Sequence, residues 1–264
     1  KDERSIYCDR DLYSPVYAIS DLVYPDLWAK IEKVEKQSGI RITSFDRWLE
    51  ATEVLIDKAY KMGAVALKNP LAYQRTLKYE RVSRSRAEEE FNNIFDTKHI
   101  PDWEERIAKN GKAFQDYMVH YILDIANKKN LVPQIHTGIQ EGNGNILSNS
   151  NPELLSNLFL QYPDVTFDIF HISYPYQNVL TVLAKNYPNV YIDMCWTHIV
   201  SPNASVASLL EWIDTVPLNK ISAFGGDYLF IDGVYGHLQL AKKNVAKALS
   251  IKVKEGLFDI DKAK

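Results

Sequence analysis

Cysteine is nearly absent from this 264-residue chain. The two it has, Cys8 and Cys195, form neither a disulfide framework nor a C-x-x-C motif. That excludes a small stapled secreted scaffold and points to reducing cytosol, so the expected location is cytoplasmic. No apolar run approaches the roughly 20 residues that cross a bilayer, and no membrane partner is expected. Basic runs are missing too, and the net charge is −3. Binding nucleic acid by neutralising its phosphates is therefore excluded as a leading reading. The opening Lys1-Asp-Glu-Arg-Ser5 lacks the basic and apolar regions of a signal peptide. With no initiator methionine, the chain is expected to start inside a longer gene product. No histidine precedes His99, so the first third contains no His-x-His pair.

What is present reads as one globular domain over residues 1–264. With 46% apolar and 25% charged residues, a packed core is expected rather than disorder. The length admits an α/β barrel, which takes about 250 residues. Short apolar runs alternate with amphipathic ones, the rhythm of parallel βα units. Strands are expected at Val16–Ile19, Ala64–Leu67, Leu131–His136, Val165–Phe170, Val190–Met194 and Lys220–Phe224. Helices are expected at about 24–37, 46–62, 85–95, 112–129, 177–186, 205–213 and 235–254. Thr43-x-x-Asp46 resembles a capping box, and Asn151-Pro152 reads as an N-cap followed by Pro at N1. Six strands are two fewer than a closed barrel needs.

Three metal-competent side chains end three of the later runs: His136, His171 and Asp227. In a (β/α) barrel that end of each strand is the catalytic face. Imidazoles and a carboxylate can hold a divalent ion while leaving a position for water. Singly, each has a plainer reading: a lone strand-end His as a hydrogen-bonded core residue, an Asp after Gly-Gly as a turn former. Tyr174, Tyr176 and Trp196 follow the strands as candidate pocket walls, or as packing residues. Asp193, if inward, would orient a ligand histidine. Gln140 and Asn143 sit on the loop after His136 and could reach substrate. His198 follows a strand and His237 opens the last helix, both near the same face as weak ligand candidates, while His99 and His120 are read as structural.

These motifs resemble the amidohydrolase superfamily of metal-dependent barrel hydrolases. The likeness is greatest to its amidohydrolase-related (amidohydrolase 2) branch, and within that to the domain fused to glutamine-synthetase-like proteins. It rests on Pro133-Gln-Ile-His136-Thr-Gly138, Phe170-His171-Ile-Ser-Tyr-Pro-Tyr176, Tyr187-Pro-Asn-Val-Tyr-Ile-Asp-Met194 and Phe224-Gly-Gly-Asp227. The resemblance implies His136, His171 and Asp227 as metal ligands. It implies Asp227 as general base and His171 as a second ligand or as a group polarising the substrate carbonyl. The ion implied is zinc, with manganese or iron as alternatives. The run Ala66-Leu-Lys-Asn-Pro-Leu-Ala-Tyr73-Gln-Arg75 resembles a segment of the same branch. It implies Lys68, Tyr73 and Arg75 on an anionic substrate, with Lys68 alternatively carboxylated as a metal bridge.

The family's first strand carries His-x-His, which this chain does not have. The resemblance then implies a TIM-like α/β barrel restricted to strands 3–8 of eight, with the first two upstream of Lys1. A fragment of a longer enzyme is favoured over a metal-free remnant or a site completed by another chain. The expected function is metal-activated water attacking a C–N or C–O bond of a small anionic substrate. A uronate-isomerase-like or decarboxylase activity is the alternative among enzymes. A non-catalytic small-molecule binding domain is the rival outside them. The chain alone would be inactive if the missing pair is indispensable, and an open sheet edge favours a homo-oligomer.

Overall fold

A computed structural model describes residues 11–26, 28–96 and 111–263. Cys8 and His99 lie outside the described residues. Six strands are ordered β1-β2-β3-β4-β5-β6 in one sheet: β1 Val16–Ala18, β2 Ala66–Asn69, β3 Val132–Ile135, β4 Phe167–Ile169, β5 Val190–Cys195 and β6 Ile221–Gly225. The pairs β1–β2, β4–β5 and β5–β6 run parallel. Sequential parallel strands with helical crossovers are the order of a (β/α) barrel, here over six units. By its internal contacts the chain divides into two compact units, and it passes from one to the other within β3. Among the described residues no helix is long and apolar enough to cross a membrane.

Among the described residues the first unit holds β1, β2, a short helical turn at Ser20–Val23 and the longer helices α1 Trp28–Ser38, α2 Phe45–Lys61, α3 Arg84–Asp96 and α4 Lys112–Lys129. In α2 the residues Phe45, Trp48, Leu49, Thr52, Leu55, Ile56 and Ala59 are buried, at the three- and four-residue spacing that makes one helical face. Trp48 is wholly buried, packs near Phe91 and Phe114, and donates its indole N–H to the Leu22 carbonyl at 3.2 Å. The cap of α2 is Ser44, which accepts from the Arg47 amide at 3.3 Å, and not Thr43 as the capping-box reading has it. The extended backbone of Ser44 aims its hydroxyl at the free amide three residues on. Asn130, in the left-handed conformation, ends α4 and turns the chain into β3.

The second unit holds β4 to β6 and the helices α5 Ser156–Gln161, α6 Gln177–Asn186, α7 Pro202–Thr215 and α8 Ile231–Lys254. Asn151 caps as expected, by accepting from the Glu153 amide, but Pro152 opens a 3₁₀ turn and α5 begins only after it. Helix α7 starts three residues before the sequence reading. Ser201 accepts from the Ala204 amide and Pro202 supplies the preset first turn. At the other end of α6, the buried Lys220 ammonium donates to the carbonyls of Ala184 and Tyr187 at 2.5 and 2.7 Å. A cation there satisfies orphan carbonyls and opposes the negative end of the helix dipole.

Candidate metal centre

The C-terminal ends of β3, β4, β5 and β6 lead into His136, His171, Trp196 and Asp227. The chain turns sharply at the latter three. His171, Ile172 and Ser173 have φ of 70°, 45° and 52°, Trp196 has 65° and Asp227 has 54°. His171 is therefore not the last residue of its strand, which stops at Ile169; it opens a left-handed turn. Left-handed backbone disfavours β-branched residues such as Ile172, so packing must hold the turn. Gly138 is part of that packing. It has φ of +70°, and a Cβ there would lie 2.3 Å from the Ser173 carbonyl carbon. The Thr137 hydroxyl meets the Phe170 carbonyl at 2.8 Å and the Ser173 hydroxyl at 2.6 Å, tying the two turns together.

His136 and His171 are 3% and 1% exposed, and their rings face each other. The outer nitrogens face backbone carbonyls: His136 Nε2 is 2.8 Å from the Ile139 oxygen, and His171 Nδ1 is 3.0 Å from the Cys195 oxygen. A carbonyl only accepts, so each outer nitrogen carries the ring proton. The inner nitrogens, His136 Nδ1 and His171 Nε2, lie 2.9 Å apart. With both outer nitrogens protonated, a proton or a metal ion would join that pair. Fixing a ligand histidine's tautomer through its far nitrogen is also how metal sites are supported. Paired imidazoles suit a divalent ion, although the group of ligand atoms that lie within 4.8 Å of one another among the described residues does not include His136. Asp227 Oδ2 lies 3.8 Å from His171 Nε2, on a half-exposed side chain.

The structure also places residues that the sequence reading missed. Ligand atoms of His171, Cys195 and Asp227 all fall within 4.8 Å of one another, which makes a cation-competent group. Cys195, at the end of β5, is buried. Its signal in the sequence was slight, since Met194-Cys195 reads as the end of an apolar strand. Asp193 is inward and buried. Its Oδ1 accepts from the backbone amides of His171 at 3.0 Å and Cys195 at 2.9 Å.

Of the expected substrate residues, three gather here. The Tyr73 ring packs on His136 with centroids 4.7 Å apart, and its hydroxyl accepts from the Glu141 amide at 3.1 Å. Burial pushes the Tyr73 phenol up, partly offset by that amide. Trp196 stands against His171 with ring centroids 5.6 Å apart. Tyr174 lies beside Trp196, and the gap that these two rings enclose with His171, Cys195 and Ile139 leaves no room for a water molecule. Arg75 is buried, and its Nε donates to the neighbouring Thr76 carbonyl at 2.9 Å. Lys68 lies part-buried on β2 in the first unit. Gln140 donates to the Ala72 carbonyl, and Asn143 is exposed on the loop.

The profile of the amidohydrolase family matches residues 86–259, well over half of the sequence. The chain belongs to the amidohydrolase family. Among curated proteins, this chain is 35% identical over 116 residues to protein fluG of Emericella nidulans, covering 42% of the chain and 13% of that protein. It is 28% identical over 118 residues to the uronate isomerase of Caldanaerobacter subterraneus subsp. tengcongensis, covering 45% and 23%. A Lactobacillus casei structure assigned as a metal-dependent hydrolase superposes with a TM-score of 0.71 at 20% identity, over 94% of this chain and 60% of that one. The matched part is thus under a quarter of either curated relative's length.

The remaining histidines of the second unit lie apart in role. His198 donates from Nε2 to the Ala223 carbonyl at 2.8 Å and accepts from Asn244 at 3.2 Å, as a satisfied core residue should. His237 does not open the last helix: α8 begins at Ile231 and buries His237 in its second turn, among Phe224, Tyr228 and His198. Neither of its ring nitrogens has a well-formed hydrogen bond. Burial holds both imidazoles below the ordinary 6.5, against a weaker upward pull from the backbone at Ala223 and Gly226. The unfolded chain then binds more protons than the native one once pH falls toward and below 6.5. Stability is full above that pH and is lost as pH falls. Replacing His237 by phenylalanine removes an unsatisfied buried ring, a change that is neutral or stabilising by roughly 1 kcal/mol. We expect His237→Phe to keep or raise the melting temperature at neutral pH. Its drop on acidification to about pH 5 should be smaller than the parent's. A lower melting temperature at both pH values would mean that the imidazole is paired.

Proposed function

We propose that this chain carries the catalytic face of a metal-dependent hydrolase, with His136, His171 and Asp227 around the ion. The proposed reaction is hydrolysis of a C–N or C–O bond in a small, anionic substrate. The single observation that supports this reading is the close approach of two buried imidazoles, His136 Nδ1 and His171 Nε2 at 2.9 Å, with their far nitrogens on the Ile139 and Cys195 carbonyls. A divalent ion held by these residues would supply a water of lowered pKa and an electrophile for the scissile carbonyl. Asp227, half-exposed beside His171, is placed to accept a proton from that water and to pass it to the leaving group. His136 and His171 keep their proton positions through the Ile139 and Cys195 carbonyls. Tyr73 packs on His136 and Trp196 on His171, so these rings would bound a substrate brought to the ion.

The uronate isomerase among the relatives favours a second reading, aldose–ketose interconversion with no water consumed. One experiment separates the two. Protein loaded with zinc or manganese is offered a panel of N-acyl amino acids, small lactones and hexuronates, in water enriched in ¹⁸O. Hydrolysis places the label in the product carboxylate, whereas isomerisation leaves the carboxylate unlabelled. Asp227→Asn should lower the hydrolytic rate by about 10²–10⁴-fold, the usual worth of a general base. Unchanged turnover in that variant would remove Asp227 from the mechanism.

A further inference from the structure

Resting on the metal-site reading above, we propose that Cys195 is a direct thiolate ligand, which makes His171, Cys195 and Asp227 one mixed nitrogen–sulfur–oxygen site. The sequence reading gave the sulfur no role, but the fold brings it to the ion's side of the strand ends. The three ligand atoms lie within 4.8 Å of one another. Donors sharing one zinc sit about 2.0–2.3 Å from it, so mutual separations of about 3–4 Å are needed. The remaining distance is within reach of the half-exposed Asp227 carboxylate, which can rotate about its side-chain bonds.

Three features set the sulfur in place. The β5–β6 register shifts between Asp193 and Cys195, so Cys195 stands opposite Gly225. A Cβ on Gly225 would lie 2.8 Å from the Cys195 sulfur and 2.7 Å from its Cβ, so only glycine leaves the thiol its position. Asp193 bonds the amides of both Cys195 and His171, which fixes the spacing of these two ligands from behind. The Cys195 carbonyl meanwhile accepts the His171 Nδ1 proton. That commits Nε2, the nitrogen nearer Asp227, to the ion. On binding, the sulfur–hydrogen bond breaks, its proton goes to water, and a sulfur–metal bond forms with no change in oxidation state. A thiolate in the set selects zinc, iron or cobalt over magnesium, which prefers oxygen donors.

Cobalt(II) reads this directly, without any substrate. Chelator-treated protein titrated with cobalt should develop visible d–d bands together with a near-ultraviolet sulfur-to-cobalt charge-transfer band. Cys195→Ser should abolish the charge-transfer band, keep the d–d bands, and weaken binding at least about 10-fold. Cys8→Ser should keep both bands. If Cys195→Ser fails to fold, the Cys8→Ser protein still decides the matter, because Cys195 is then its sole thiol. Stoichiometric cobalt with d–d bands and no charge-transfer band would overturn the thiolate ligand and leave the metal site standing. Failure of the parent protein to take up cobalt or zinc at all would overturn both.

Discussion

Replacing His171 by asparagine is expected to strip the protein of its metal. Asparagine accepts the left-handed backbone that His171 adopts at φ 70° about as readily as histidine, so the turn should survive. What disappears is the nitrogen that faces His136 at 2.9 Å and Asp227 at 3.8 Å. Changes to the groups that merely support a ligand cost about 10–100-fold in metal affinity, and loss of a ligand should cost more than that. Zinc measured by mass spectrometry after gel filtration should fall from near-stoichiometric to background. Stability should change with it, through linkage. A ligand at 100 times its Kd stabilises the native state by about 2.7 kcal/mol, so a chelator should lower the parent's melting temperature and leave the variant's unchanged. An asparagine variant that retains zinc at the parental level would place the metal elsewhere.

Gly138→Ala is expected to be the most disruptive single methyl group in the second unit. The new Cβ would sit 2.3 Å from the Ser173 carbonyl carbon and 2.6 Å from the Tyr174 amide, and both contacts are with backbone that cannot rotate away. The residue also holds φ at +70°, where alanine is strained in its own right. Overpacking costs typically 1–3 kcal/mol, and the left-handed backbone adds roughly 1 kcal/mol. A loss of about 2–4 kcal/mol should appear in urea unfolding, with a further loss of metal affinity because the turn at His171 has to shift. Gly142, also at positive φ but with nothing within 4 Å of the place a Cβ would take, is the control. Gly142→Ala should cost only the backbone strain. Equal losses at the two positions would show that the contact with Ser173 does not matter.

The order of elements was legible because it depends on local patterning. Helix Lys112–Lys129 and helix Gln177–Asn186 match the reading to the residue, since apolar spacing and flanking Gly, Asn and Tyr-Pro signals agree. Strand-end positions of His136 and Asp227 were legible for the same reason. The rest depends on contacts between segments distant in sequence. Nothing around Ile172 and Ser173 advertises positive φ, because their types disfavour it. Ser44 could not be chosen over Thr43 without knowing which backbone is extended. The start of α8 was placed four residues late because Phe230 offers no side-chain cap, so His237 was assigned to a helix end instead of a buried turn. Cys195 was passed over because its partners, His171 and Asp227, lie far from it in the chain, on the ends of the two neighbouring strands.

One carboxylate oxygen, Asp193 Oδ1, accepts amides from two separate strand ends, at His171 and at Cys195. It works as a rivet through two plates. Neither strand end can lift without stretching the bond that holds the other, so the two ligand-bearing segments are mechanically one body. Any opening of the site must come from elsewhere, from the Asp227 loop or from the Tyr73 and Glu141 segments beside His136.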